Sequence, residues 1–138
     1  MSAYWRPTPV LVLLITSMAI GCTMFANMSR QEEFTSTSEA FEHAFVHLEI
    51  HTIDAFLDPA VRRAGSIKDP YQNIKVVDYE VGQQRVSDSG LEITQQVVIQ
   101  YFLLDRNVLK TVSYHPVWRY LEEEKRWVLT TDLPVLTP

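Results

Sequence analysis

The sequence predicts an α+β fold, and three observations carry that prediction. Apolar residues recur at helical spacing in the first part of the chain, the period changes to two from Asn73 onward, and turn residues divide the second part into four runs. A helix followed by strands in this order packs against one face of an antiparallel sheet. The 138 residues, 46% hydrophobic and 21% charged, suit one small domain behind a leader. Seventeen acidic against 12 basic residues argue against a nucleic-acid partner, because neutralising phosphates takes clustered Lys and Arg. A single cysteine excludes an internal disulfide framework and a Cys-rich zinc module.

The first element is predicted to be a signal helix within residues 1–21. Arg6 and the amino terminus make a positive head, residues 10–15 are wholly apolar, and residues 16–21 form a smaller-residue exit that ends at Cys22. Ala19-Ile20-Gly21-Cys22 resembles the lipobox of bacterial lipoproteins. The resemblance implies that the Cys22 thiol carries a diacylglycerol, that the leader is removed, and that the new amino terminus is acylated with palmitate or a similar chain. A thiolate suits this chemistry because it is a soft nucleophile. Two or three chains anchor stably, at about 0.8 kcal/mol per buried CH₂. The implied location is the bacterial cell envelope, lipid-anchored. Thr23 in place of an Asp favours the periplasmic face of the outer membrane in a two-membrane host. The alternative is an uncleaved membrane anchor, since no charged side chain stands between Pro7 and Ser29.

Residues 22–35 lack sustained periodicity and are expected to form a tether. Ser36-Thr37-Ser38-Glu39 has the form of a capping box, so the main helix is expected to begin there. At about 100° per residue, Phe41, Ala44, Phe45, Leu48, Ala55 and Phe56 share one face. Val46, Ile50, Ile53 and Leu57 cover a second, nearly opposite arc. Such a helix is expected to need a sheet on one side and a short helix or a partner on the other. Asp58-Pro59 ends it and caps a short helix over 60–64, with Gly65 as its terminator.

In the first strand Val77, Tyr79 and Val81 alternate with Val76, Asp78 and Glu80, and Ser87-Asp88-Ser89-Gly90 makes a turn. Leu91, Ile93, Val97, Ile99, Tyr101 and Leu103 then alternate with Glu92, Thr94, Gln96 and Gln100. Asp105-Arg106-Asn107 leads into a third strand over 108–121, where Pro116 marks a bulge or an edge because it lacks the ladder donor. Glu122-Glu123-Glu124-Lys125 is a solvated tip leading to a fourth strand over 126–133. This order, with its ending Trp118-Arg119-Tyr120, charged turn, Arg126-Trp127-Val128-Leu129, resembles the NTF2-like (cystatin-like) superfamily over residues 36–133. The resemblance implies a domain over 36–138 in which one long helix, plus a short one, packs on a curved four-stranded antiparallel meander.

His43, His47 and His51 recur every four residues, the spacing at which a helix can chelate a transition metal. Each step also rotates by about 40°, so the stripe is read as facing solvent or a partner, and no metal is expected. Enzymes of the NTF2-like superfamily that resemble ketosteroid isomerase or scytalone dehydratase place Asp, Tyr and His in the cone between helix and sheet. Residues of those types here are Asp54, Asp78, Tyr79, Tyr101, Tyr114 and His115, which in a buried setting could abstract a proton beside a carbonyl. Those families' local motifs are absent, so no catalytic residue is assigned and no cofactor is expected. Tyr79, Tyr101, Tyr114 and Trp118 are candidate pocket residues, with core or rim packing as the other reading. Trp118 and Trp127 are expected to form a cross-strand aromatic pair.

Val98, Phe102 and Leu104 interrupt the otherwise polar side of the second strand and form a candidate interface. The favoured function is a membrane-anchored, non-catalytic binding or assembly module for another envelope protein, a small ligand or a second copy of itself. The alternatives are an NTF2-like isomerase or dehydratase acting on a small apolar carbonyl compound, and an accessory subunit of a larger complex held by an uncleaved N-terminal helix.

Overall fold

The computed structural model describes the backbone of residues 10–64 and 71–136, and the side chains of residues 23–62 and 71–136. The elements are α1 (Val10–Val46), α2 (Ile50–Phe56), α3 (Pro59–Ala64), β1 (Ile74–Val86), β2 (Glu92–Leu103), β3 (Val108–Tyr114), β4 (Val117–Leu121) and β5 (Arg126–Leu129). The chain forms two compact units, residues 1–32 and residues 33–138. The first is helical from Val10 and exposes Met24, Phe25 and Met28. The second is α+β and holds the antiparallel sheet.

The main helix does not begin at Ser36. Residues 23–35, expected to be an irregular tether, are helical, and the hydroxyls of the expected capping box turn backward. Thr37 Oγ1 donates to the Glu33 carbonyl at 2.8 Å and Ser38 Oγ to the Thr35 carbonyl at 3.1 Å. A Ser or Thr side chain can serve a free N–H or a preceding carbonyl, and within a helix only the second is open to it. Burial explains why the turn before Ser36 forms. Phe34 is 2% exposed and meets Trp118 and Trp127 edge-on, with ring centroids 5.9 and 5.2 Å away.

Nor does that helix continue to Leu57. Leu48 adopts a left-handed φ of 51°, Glu49 N–H bonds to Ala44 O at 2.9 Å, and Leu48 N–H bonds to Phe45 O at 3.0 Å. This is the paired pattern of a Schellman ending, with a leucine where glycine is usual. The break redirects α2, so that Ile53 and Leu57 of the expected second arc are buried beside Phe41, Ala44 and Phe45, while Ala55 is exposed. The apolar surface that called for a partner on the helix is thus absorbed by the core. Asp58 caps α3 as expected: its Oδ1 accepts from Ala60 N–H at 2.8 Å, with Pro59 at the first helical position. The expected terminator, Gly65, lies outside the described residues.

The sheet has five strands rather than four. The run over 108–121 divides at His115-Pro116 into β3 and β4, both paired with β2. β3 runs beside Val97 to Leu103 and β4 beside Glu92 to Thr94, and at the division Gln95 N–H bonds to Pro116 O at 3.0 Å. Pro116 lacks an N–H, so the ladder bends there. β1 covers the other side of β2, and β5 pairs with β4. The chain after α2 lies along β5, with a Leu57–Leu129 bridge and Asp58 N–H bonded to Leu129 O at 2.8 Å.

Side-chain alternation in β2 follows the sequence expectation, with Ile93, Val97, Ile99, Tyr101 and Leu103 all buried. In β1 it does not. A register shift between Val76 and Asp78 reverses the parity, so Val76 and Tyr79 are buried while Val77 is 53% exposed. The three expected turns form at 87–91, 104–107 and 122–125, with positive φ at Gly90, Asn107 and Lys125 respectively.

Candidate functional site

The space between α1 and the sheet is occupied by aromatic rings. Phe41 stands 5.3 Å from Trp118, 6.0 Å from Phe45 and 6.5 Å from Tyr79, and Phe45 lies 5.8 Å from both Tyr71 and Tyr79. The candidate pocket residues Tyr79, Tyr101, Tyr114 and Trp118 are all members of this buried cluster. Trp118 and Trp127 are not directly opposed. The register sets Trp118 against Leu129 and Trp127 against Tyr120, whose ring is 5.3 Å from Trp127. The two indoles meet instead at Phe34.

The acid and base candidates do not converge. Asp54, on α2, pairs with Arg62 at 3.3 Å, both partly exposed. Asp78 is exposed beside the first register shift of β1, and His115 lies in the break between β3 and β4. Burial raises the phenol pKa values of Tyr71, Tyr79 and Tyr114, so these groups stay neutral at physiological pH. Tyr71 Oη donates to Pro134 O at 2.8 Å. Tyr114 Oη is buried without a well-formed hydrogen bond. The Thr131 side chain opposes the effect of burial on Tyr114 without completing that bond, and Asp132 adds to it. The Glu42 carboxyl is also held above its usual range, first by burial and then by the charges of Glu39 and Asp78.

The histidine stripe is interrupted by the same Schellman ending. His43 and His47 stack with ring centroids 4.3 Å apart, and His47 Nδ1 donates to the His43 carbonyl at 2.8 Å. His51 falls on α2, beyond the break. Among the described residues no group of three His, Cys, Asp or Glu side chains is placed to hold a metal ion. The side chain of Cys22 lies outside the described residues, as does that of every lipobox residue before it.

Two surface features remain. On the side of the sheet away from the core, the register aligns Lys75, Phe102 and Leu109 in one row and Glu80, Val98 and Ser113 in another. Val98 and Leu109 are exposed there and Phe102 is half-buried, while Leu104, 58% exposed, opens the turn that follows β2. The candidate interface Val98, Phe102 and Leu104 is therefore an apolar surface extended by Leu109. The second feature is an open cleft of about 510 Å³ at the turn-proximal part of β1 and β2. Gln83, Gln84 and Arg85 line it from β1, Thr94, Gln95 and Gln96 from β2, and His115 from the strand break.

Sequence reasoning missed this cleft because it arises where a second β1 register shift, between Val81 and Gln84, faces the break at Pro116. One partial signal was present: the Gln83-Gln84 and Gln95-Gln96 pairs flank the Ser87–Gly90 turn, three residues before it and five after it, and the loop from Ser87 to Glu92 sets Gln84 opposite Gln95. Among the described residues no helix is long and apolar enough to cross a membrane. The chain matches no protein-family model, no curated protein and no solved structure.

Proposed function

We propose that this protein is a bacterial envelope lipoprotein, anchored through acyl chains on Cys22, whose α+β domain acts as a non-catalytic binding or assembly module for another envelope protein. The observation that carries the proposal is the leader: a positive head, an uncharged apolar stretch and a small residue before the chain's one cysteine. The NTF2-like resemblance belongs to the same proposal, supported by a helix packed against an antiparallel sheet. Two features favour binding over carbonyl chemistry. The interior is filled by Phe41, Phe45 and Trp118, and the acid and base candidates are dispersed. The exposed apolar row around Phe102 supplies a docking surface for the partner.

The test is intact mass spectrometry of protein extracted from membranes, alongside Cys22→Ser. A chain beginning at Cys22 with added acyl mass, and release of the Cys22→Ser variant from its anchor, are expected. A wild-type chain that retains Met1 or Ser2 overturns the lipoprotein reading in favour of an uncleaved anchor.

A further inference from the structure

The turns of α1 that follow Cys22 expose three large apolar side chains together. Met24 is 65% exposed, Phe25 76% and Met28 60%, each more than any apolar residue within the five strands. At about 100° per residue the three share one side of the helix, and Ala26 and Arg30 fall on the other. The Arg30 side chain lies along that other side, where its Nε donates to the Ala26 carbonyl at 3.3 Å and its Nη2 donates to Asn27 Oδ1. This short helical stretch is therefore apolar on one side and polar on the opposite one.

Position in the chain decides what meets the apolar side. Cys22 belongs to the same helix, so at about 1.5 Å per residue the three side chains attach roughly 3 to 9 Å along the axis from it. An acylated Cys22 holds that point at the bilayer surface, and an interfacial helix sinks its apolar face about 5 to 10 Å into the boundary of headgroups and acyl chains. No charged residue stands between Cys22 and Ser29, and Arg30, the first, lies on the polar side. A helix–helix seam fits less well, because such a seam repeats its apolar positions over several heptads. Here Gln31, Glu32 and Thr35 stand three, four and seven residues beyond Met28, so the apolar side ends within its second turn.

We propose that the face formed by Met24, Phe25 and Met28 lies in the lipid bilayer at the boundary of headgroups and acyl chains, so that the chain meets the membrane through a helix face as well as through acyl chains. The inference rests on the Cys22 anchor proposed above and takes nothing from the apolar row of the sheet. Acyl chains on one residue leave the helix free to turn about its own axis. A seated apolar face removes that freedom, because turning it into water exposes all three side chains.

The experiment compares Phe25→Trp with Ala26→Trp, both at exposed positions, in the full chain extracted from membranes and reconstituted in phosphatidylcholine vesicles with or without brominated acyl chains. Brominated lipid quenches an indole that reaches the acyl region, and the wild-type emission, which includes the buried Trp118 and Trp127, is subtracted. Phe25→Trp is expected to be quenched at least about twofold more strongly than Ala26→Trp, since one side of an interfacial helix is in lipid and the other in water. Equal quenching at the two positions, or none in Phe25→Trp, would overturn the proposal. Blue-shifted but unquenched emission in Phe25→Trp would overturn it in favour of a protein on that face. Intact mass of the same samples separates this inference from the anchor on which it rests. An acylated chain that begins at Cys22 and shows no quenching in Phe25→Trp overturns the inference alone, whereas a chain that retains Met1 or Ser2 and keeps the contrast between the two positions overturns the lipoprotein reading alone.

Discussion

Among the described residues the Tyr114 hydroxyl is the buried side-chain polar group left without a hydrogen bond, and its surroundings make its cost predictable. It is buried without a well-formed hydrogen bond, near Thr131 and Asp132. An unmet buried hydroxyl costs on the order of 1 kcal/mol or more, so Tyr114→Phe is expected to stabilise the domain by about 1 kcal/mol in chemical denaturation. A destabilisation of that size instead would mean that the hydroxyl has a partner. The same tyrosines set the alkaline limit. An unfolded tyrosine ionises near about pH 10, whereas burial holds the phenols of Tyr71, Tyr79 and Tyr114 above that value. Above about pH 10 the folded state therefore keeps protons that the unfolded state has released. Stability is complete below that pH and falls as pH rises through the folded-state values. Unfolding followed by phenolate absorbance should show ionisation and loss of structure together, and stability unchanged well above pH 10 would refute the coupling.

At the level of the elements, α1 decides what belongs to the domain. Phe34 lies before the expected helix start, yet it sits between the two indoles of the β4–β5 hairpin. Replacing a buried phenylalanine by alanine removes apolar burial and leaves a cavity, so Phe34→Ala should cost about 3 to 5 kcal/mol. A change below about 1 kcal/mol would place Phe34 in a true tether, since surface substitutions have effects of that order or less. The β2 alternation was legible because every second residue from Ile93 to Leu103, Gln95 excepted, is apolar and no bulge interrupts it. The β1 pattern was not, because its two register shifts are set by pairing with β2 rather than by composition. The helix break at Leu48 was equally hidden: a leucine in left-handed geometry has no local signature and is held there by core contacts. For the site, the apolar row around Phe102 could be read from strand parity, whereas the glutamine cleft required knowing which residues face one another.

For the whole molecule, the proposed anchor and the proposed interface make one joint prediction. If the face bearing Val98, Phe102 and Leu104 docks a partner or a second copy, a charge placed in it should be poorly tolerated in the complex and well tolerated in the free domain. Phe102→Asp is expected to lower the mass measured by light scattering or to abolish partner capture from membranes. Unchanged mass together with unchanged capture removes this surface from the proposal.

Period, composition and turn chemistry were enough to establish an α+β chain with helices first, an antiparallel sheet after them, and turns near Gly90, Asn107 and Lys125. These features depend on residues close together in the chain, where local preference acts directly. Tertiary structure alone decided that Phe34 joins the core, that the helix ends at Leu48, that the segments on either side of Pro116 both pair with β2, and that four glutamines and Arg85 line one cleft. Each of those outcomes is fixed by a contact between residues far apart in sequence, whose burial or pairing outweighs the small local preferences that a linear reading can weigh.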